Sequence, residues 1–364
     1  MLVKEIINLL EEMAPRAYAE EYDNVGLLCG SPEDNITGIL VCHDALEAVI
    51  DEAIDRNCNM VVCFHPILFS PIKSLTGKNY VERAMIKAIR NNVAIYAVHT
   101  SLDNHMDGVN KIICDALGLR NTKILIPKAG FIRKLVTYTV PDNVDQVRNA
   151  LFEAGAGTIG NYDHCSFNSR GFSTYRGNED SDPVIGQRGE LTIGDEIKLE
   201  VTFKKHQESA ILQALFNSHV YEEVAYEIYE LSNLHQNIGS GMTGELETPM
   251  PEAEFLQMVK QKMRCGSIRH NEFSGRHISK VAVLGGSGSF AIDHAIKAGA
   301  DAFLTADLKY HDFFRPEGKL LLADIGHYES ERYTKNYIHD FLRKKILNFA
   351  IVLSEVNTNP VKYL

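Results

Sequence analysis

The sequence predicts an α/β protein, with two α/β lobes from the first and last thirds of the chain forming one discontinuous core around an inserted ferredoxin-like α+β domain. Residues 38–130 alternate short apolar runs with helical patterns, the rhythm of βαβ units and a parallel sheet. The same rhythm returns near the end of the chain. The middle reads differently, in the strand and helix order of a split βαβ module. These breaks put the core at 1–130 plus 240–364 and the insert at 131–239.

The first 15 residues, MLVKEIINLLEEMAP, read as an amphipathic helix ended near Pro15. Its three glutamates are unlike the basic start of a secretion signal. TGILVC follows as a strand, then a helix through Ala45 to Arg56, the strand MVVCF, a helix through Tyr80 to Asn91 and the strand VAIYAV. In the middle, KLVTYTV is a strand, Pro141 and Asp142 a turn, Val144 to Ala154 a helix, EIKLEVTF a strand, Gln207 to Asn217 a helix and EEVAYEIYEL a last strand. The Gly- and Ser-rich NIGSGMTGE looks like a connector. Beyond it come the strand KVAVLG, a helix through Ala291 to Ala298, the runs DAFLTAD and KLLLADIG, a helix through Glu331 to Lys344 and the strand FAIVLS.

Composition narrows the function. The 364 residues carry a net charge of −11 and 45% hydrophobic content. That balance suits several packed cores and disfavours general nucleic-acid binding, which needs a basic footprint. No apolar run approaches the roughly 20 residues that span a bilayer, so the expectation is a cytoplasmic protein without membrane contact. Seven cysteines are scattered singly with no C-x-x-C pair, and read as reduced, mostly buried small hydrophobes.

Chemistry concentrates at strand ends. MVVCF runs into His65, VAIYAV into His99 and LLLADIG into His327. Ligands of an open α/β sheet gather at the carboxyl ends of its strands, so three imidazoles delivered there can share a crevice. Any one alone reads as a local histidine capping a turn. Asp103 follows His99 by four residues, and Glu331 follows His327 by four. Imidazoles with carboxylates suit zinc, iron or manganese. Asp307 and His311, with His99, are candidates for orienting a ligand or moving a proton, although surface placement explains Asp307 and His311 equally well. Asp23 and Asn24 in EEYDNVGLLCG read as part of a turn. A rival motif is Gly286, Gly288 and Ala291 after KVAVLG, which fits a dinucleotide fingerprint with Asp307 as ribose acid. Phosphate docking at that helix start stays open beside the metal reading.

Taken together, EYDNVGL at 21–27, FHPILF at 64–69, AVHTSLDN at 97–104, VAVLGGSGS at 281–289, TADLKYHD at 305–312, GHYESE at 326–331 and NTNP at 357–360 resemble the NIF-three-like family, also called GTP cyclohydrolase I type 2 homologues. The middle, with GTIGNYDHCSF and YEEVAYEIY, is similar to the CutA or PII-like insert of its longer bacterial members. The resemblance implies a discontinuous metal-binding core holding one or two divalent ions on His65, Asp103, His327 and Glu331. Where the family has the first histidine of a His-His pair this chain has Phe64, which has no lone pair to donate, and His99 is the candidate to compensate. The resemblance further implies ring-like homohexamers with the metal sites facing an internal cavity and the inserts capping its openings. It implies a metal-dependent hydrolase of a nucleotide-like small molecule, cleaving the imidazole ring of GTP or a phosphoester. The other reading is a non-enzymatic metal-binding scaffold whose PII-like insert senses a small molecule or a partner.

Overall fold

A computed structural model describes residues 1–364. The chain divides into two compact units, one made of Met1–Pro127 with Asn237–Leu364 and the other of Lys128–Gln236.

The first unit begins with α1 (Val3–Met13), β1 (Gly26–Cys29), β2 (Ile39–Asp44), α2 (Glu47–Asp55), β3 (Met60–His65), α3 (Tyr80–Arg90), β4 (Ala94–Ala97), α4 (His99–Asp103), α5 (Val109–Leu117) and β5 (Arg120–Lys128). The second unit contains β6 (Ile132–Thr139), α6 (Val144–Glu153), β7 (Phe167–Tyr175), β8 (Thr192–Lys204), α7 (Glu208–Ser218) and β9 (Tyr226–Leu231). The first unit resumes with β10 (His235–Pro251), α8 (Glu252–Lys262), β11 (Arg269–His270), β12 (His277–Ser287), α9 (Ile292–Lys297), β13 (Ala302–Ala306), β14 (Leu321–Asp324), α10 (His327–Glu331), α11 (Thr334–Lys345) and β15 (Ile351–Leu353). No helix is long and apolar enough to cross a membrane.

Two sheets build the first unit. One has the order β1-β4-β3-β2-β15, with β15, β2, β3 and β4 parallel and β1 antiparallel at the edge. The other runs β11-β14-β13-β12-β10-β5, with a parallel centre of β12, β13 and β14. The central strands are buried along their length because both faces are covered, which is why they read as unbroken apolar runs. Val41, Val62 and Tyr96 from the first sheet share one apolar cluster with Val283, Leu304 and Ala323 from the second and Ile338 of α11. The two distant stretches of sequence therefore bury one another's side chains. On the opposite face of the first sheet, Leu40, Val61 and Ile95 pack against Ile50 of α2 and Met85 of α3.

The second unit is a four-stranded antiparallel sheet of order β7-β8-β6-β9 with two helices, so that β8 lies between β6 and β7 as in a split βαβ module. Its core gathers Leu135, Leu199 and Val201 from the sheet with Val147, Leu151, Ile211 and Leu215 from the helices.

NIGSGMTGE is not a connector. It lies inside the 17-residue strand β10, paired with β12 from Met242 to Pro251 across a register shift. Its glycines answer to close backbone approach. A Cβ at Gly239 would collide with the Ile126 carbonyl, and one at Gly244 would stand 2.8 Å from the Leu119 Cβ.

Candidate metal centre

The parallel register brings polar residues to one end of the first sheet. Cys42 pairs with Cys63 and Asp44 with His65, which sets His43 beside Phe64 where β2 and β3 end. After β4 the chain turns at once into α4, carrying His99 and Asp103. From the second sheet, β13 ends just before Asp307, and β14 leads through Gly326, at φ +91°, into the single turn of α10. Sequence periodicity ran one helix from Glu331 to Lys344. The structure separates α10 from α11, so His327 and Glu331 sit one turn apart on the same short helix and face the same way.

Glu331 is the hub, with only 3% of its side chain exposed. Its Oε2 lies 3.1 Å from His65 Nε2, 3.2 Å from His327 Nε2 and 3.7 Å from His43 Nε2. The other ring nitrogens are occupied. His65 Nδ1 is 2.8 Å from Asp44 Oδ1, His327 Nδ1 is 2.7 Å from Asp307 Oδ2, and His99 Nδ1 is 2.7 Å from Asp23 Oδ1. A carboxylate on Nδ1 keeps that nitrogen protonated and fixes the ring, which leaves Nε2 as the donor atom.

Three buried polar atoms of this neighbourhood make no hydrogen bond: Glu331 Oε2, His43 Nε2 and Asp103 Oδ1. Burying such atoms without partners costs free energy. Glu331 Oε2 is in close contact with two imidazoles yet aligned with neither as an acceptor. Lone pairs that converge without meeting suit a cation between them, so the residues fit a divalent metal. Two triplets have ligand atoms all within 4.8 Å of one another, His65 with His327 and Glu331, and His43 with Asp44 and His65.

The electrostatics agree. Burial works to raise the Glu331 carboxyl, but His327 and His65 hold it well below the usual carboxylate range. Asp103 goes the other way, raised well above that range by burial and then by the Glu331 charge. Burial would depress His65, yet Asp44 and Glu331 lift it to about 9, and Asp307 and Glu331 lift His327 against burial to about 11. His43 differs. Burial and the neighbouring His65 lower it to about 4, so it stays neutral.

Gly286 forms a wall of the centre. At φ +67°, a Cβ there would stand 2.5 Å from Glu331 Oε1 and 3.5 Å from His327 Cε1. Its N–H donates to Ser330 Oγ at 2.9 Å, and that hydroxyl donates to the His327 carbonyl at 2.7 Å. Of the glycines in the rival phosphate-loop motif, Gly286 lets β12 approach α10 and Gly288 lies against Thr305 of β13, while Asp307, the ribose acid of that motif, is engaged with His327.

The structure brings His65, His327 and Glu331 into direct contact. Asp103 is half-buried, with its Oδ1 buried, and feels the charges of Glu331, His65 and His327. The His99 ring lies 5.2 Å from that of His65. His311 stands apart, exposed on a 3-10 turn against the Tyr310 and Phe314 rings. Sequence reasoning missed His43, although TGILVC also runs into a histidine and Asp44 follows it. It also gave no chemistry to Asp23, which holds His99 and accepts from the Thr100 N–H at 3.1 Å. A cavity of about 420 Å³ opens beside the centre, lined by His43, His65, Asp307, His327, Arg269 and Tyr328 among others.

A family model, Duf34/NIF3 (NGG1p interacting factor 3), matches residues 1–360. The chain belongs to the Duf34/NIF3 family. It is 37% identical over 369 residues to the GTP cyclohydrolase 1 type 2 homolog of Bacillus subtilis (strain 168), covering 99% of this chain and 98% of that one. The corresponding homolog of Halalkalibacterium halodurans is 36% identical over 367 residues, covering 99% and 98%. Among solved structures, a Bacillus cereus protein related to NIF3 superposes with a TM-score of 0.87 at 33% identity, covering 100% of this chain and 99% of that one. A Staphylococcus aureus protein does so with a TM-score of 0.79 at 29% identity, covering 100% and 99%. The mixed α/β fold with several sheets is thus that of the Duf34/NIF3 structures, and the His, Asp and Glu cluster lies in the part of the chain that the family model spans.

Proposed function

We propose that this chain is a divalent-metal-dependent hydrolase of a nucleotide-like small molecule. One observation supports it above the others: Glu331 Oε2, His43 Nε2 and Asp103 Oδ1 are buried without partners around His65 and His327. His65, Asp103, His327 and Glu331 would hold one or two ions of zinc, iron or manganese. Such an ion polarises a bound oxygen and lowers the pKa of its water. Asp44 and Asp307 keep the His65 and His327 rings turned with Nε2 inward. His99, its Nδ1 fixed by Asp23, can take or return a proton at Nε2. Asp307 is engaged as the orienting group of His327, and His311 is left without a role at this centre. The cavity of about 420 Å³ is within the range that small molecules fill, and its one Arg or Lys side chain, the half-exposed Arg269, is paired with Asp324. The homologue name of the relatives makes GTP the first substrate to try. The relevant assembly is a cytoplasmic homohexamer, tested by sedimentation mass.

Turnover of GTP and of simple phosphodiesters is measured with each metal, for the native protein and a His327→Ala, Glu331→Ala double variant. Hydrolysis by the native protein and loss in the variant support the reading. Equal rates, or none with any metal, count against it.

A second reading, a metal-binding regulatory scaffold, is favoured by a cavity of about 660 Å³ within the second unit, lined by Arg170, Phe172, Tyr175, Lys198 and Tyr221. Such a pocket suits a CutA- or PII-like sensing domain. Nucleotide binding that Lys198→Ala and Tyr221→Ala abolish, with metal content unchanged, would support it.

A further inference from the structure

His43 stands on β2 directly beside Phe64 on β3, since the flanking pairs are Cys42 with Cys63 and Asp44 with His65. Neighbouring strands lie about 4.8 Å apart, and side chains in register share a face. An imidazole on β2 therefore reaches the region that one on β3 would reach from Phe64. The Phe64 ring stacks on that of His43 at 5.4 Å and 23°. With His65 at 4.6 Å and Tyr328 at 5.1 Å, both edge-on, it holds the imidazole in place.

The orientation is specific. His43 is 4% exposed, and its Nδ1 lies 3.4 Å from the Thr334 hydroxyl. A hydroxyl oxygen can accept from Nδ1–H, which leaves the lone pair on Nε2. That Nε2 has no hydrogen-bond partner and points at Glu331 Oε2, 3.7 Å away. A histidine kept only for packing would leave this buried atom unsatisfied, which costs free energy.

We propose that His43 is a metal ligand through Nε2, supplying from β2 the imidazole that Phe64 cannot supply from β3. The inference rests on the metal centre proposed above and adds a donor to it. With His43 the set becomes three imidazoles and two carboxylates, His43, His65, His327, Asp103 and Glu331, enough for two ions sharing Glu331. His99 belongs to neither triplet of converging ligand atoms, whereas His43 does, so the missing imidazole is assigned to β2 and not to α4.

The test loads full-length protein with cobalt(II) and counts hyperfine-shifted ring N–H resonances by NMR, then measures metal per chain for variants. Once the His99 ring N–H is assigned by its loss in His99→Gln, three further shifted ring N–H signals in the native protein support the proposal, and two overturn it. His43→Ala should lower metal content by about one ion per chain or weaken cobalt binding about tenfold or more, since loss of even a group that only orients a ligand costs about 10- to 100-fold. A His43→Leu, Phe64→His double variant should restore it by returning the imidazole to β3. Should His43→Ala bind as the native protein does while His327→Ala, Glu331→Ala has lost its metal, the centre survives and the role of His43 falls. Native protein that takes up no cobalt at all overturns both. The resonance count uses unmodified protein, so a misfolded variant does not rescue the idea.

Discussion

Asp307 Oδ2 lies 2.7 Å from Nδ1 of His327, and the pair joins the end of β13 to the first residue of α10. Asp307 adopts φ +56°, a left-handed conformation that Asp and Asn tolerate better than other residues. Its carboxyl is held below the ordinary range chiefly by the hydrogen bond with His327. Removing the charge and keeping the shape should therefore loosen metal without unfolding the chain. Asp307→Asn is expected to weaken metal affinity about 10- to 100-fold, measured by competition with a chromogenic chelator. An unchanged affinity would show that His327 needs no orienting carboxylate.

Metal should also stabilise the fold. At a free concentration about 100 times Kd, an ion that binds only the folded chain adds about 2.7 kcal/mol. The melting temperature of the native protein should rise with added zinc or manganese and fall back with chelator. The His327→Ala, Glu331→Ala variant should melt at one temperature under all three conditions. A metal-dependent rise in that variant would place the stabilising ion elsewhere.

Gly286 and Gly299 separate crowding from backbone strain. Both have positive φ, +67° and +69°, but nothing lies within 4 Å of a Cβ added at Gly299, whereas one at Gly286 meets Glu331. Gly299→Ala should cost about 1–2 kcal/mol in a denaturant melt. Gly286→Ala should cost more and should weaken metal as well, because the new methyl displaces the Glu331 carboxylate. Equal costs with intact metal binding would show that Glu331 yields freely.

The loop before α3 carries a pH signature of its own. Glu82 accepts from the Thr76 N–H at 2.8 Å, the Thr76 hydroxyl at 2.9 Å and the Lys78 N–H at 3.1 Å. The Thr76 and Lys78 amides lead in lowering its carboxyl from 4.5 to about 2. A depressed carboxyl contributes stability that is present above the unfolded value of 4.5 and is lost as pH falls through about 2. The Thr76 and Lys78 amide resonances should hold their positions from pH 7 to pH 4 and move only near pH 2. A midpoint near 4.5 would mean that the loop amides do not hold the charge.

What the sequence made legible follows from burial. MVVCF is apolar along its whole length, and DAFLTAD between its two aspartates is broken only by Thr305, because the parallel strands β3 and β13 are covered on both faces, so composition alone marks them. His65 and His327 were readable because each breaks such a run where a strand gives out. His43 obeyed the same rule, at the end of TGILVC, and was passed over. The glycines of β10 misled because a strand normally avoids them, and the reason they are needed, the approach of β5, is a distant contact. His311 drew attention only by standing near Asp307, and nearness along a 3-10 turn does not bring a ring to the centre.

The shared cluster of the first and last thirds has a consequence for synthesis. His65 emerges early, while His327 and Glu331 follow only after the whole second unit has been made. A growing chain cannot clasp an ion between β3 and α10 until α10 is available to dock. In the proposed centre, the site shared by His65, His327 and Glu331 would therefore be completed only when translation is nearly done.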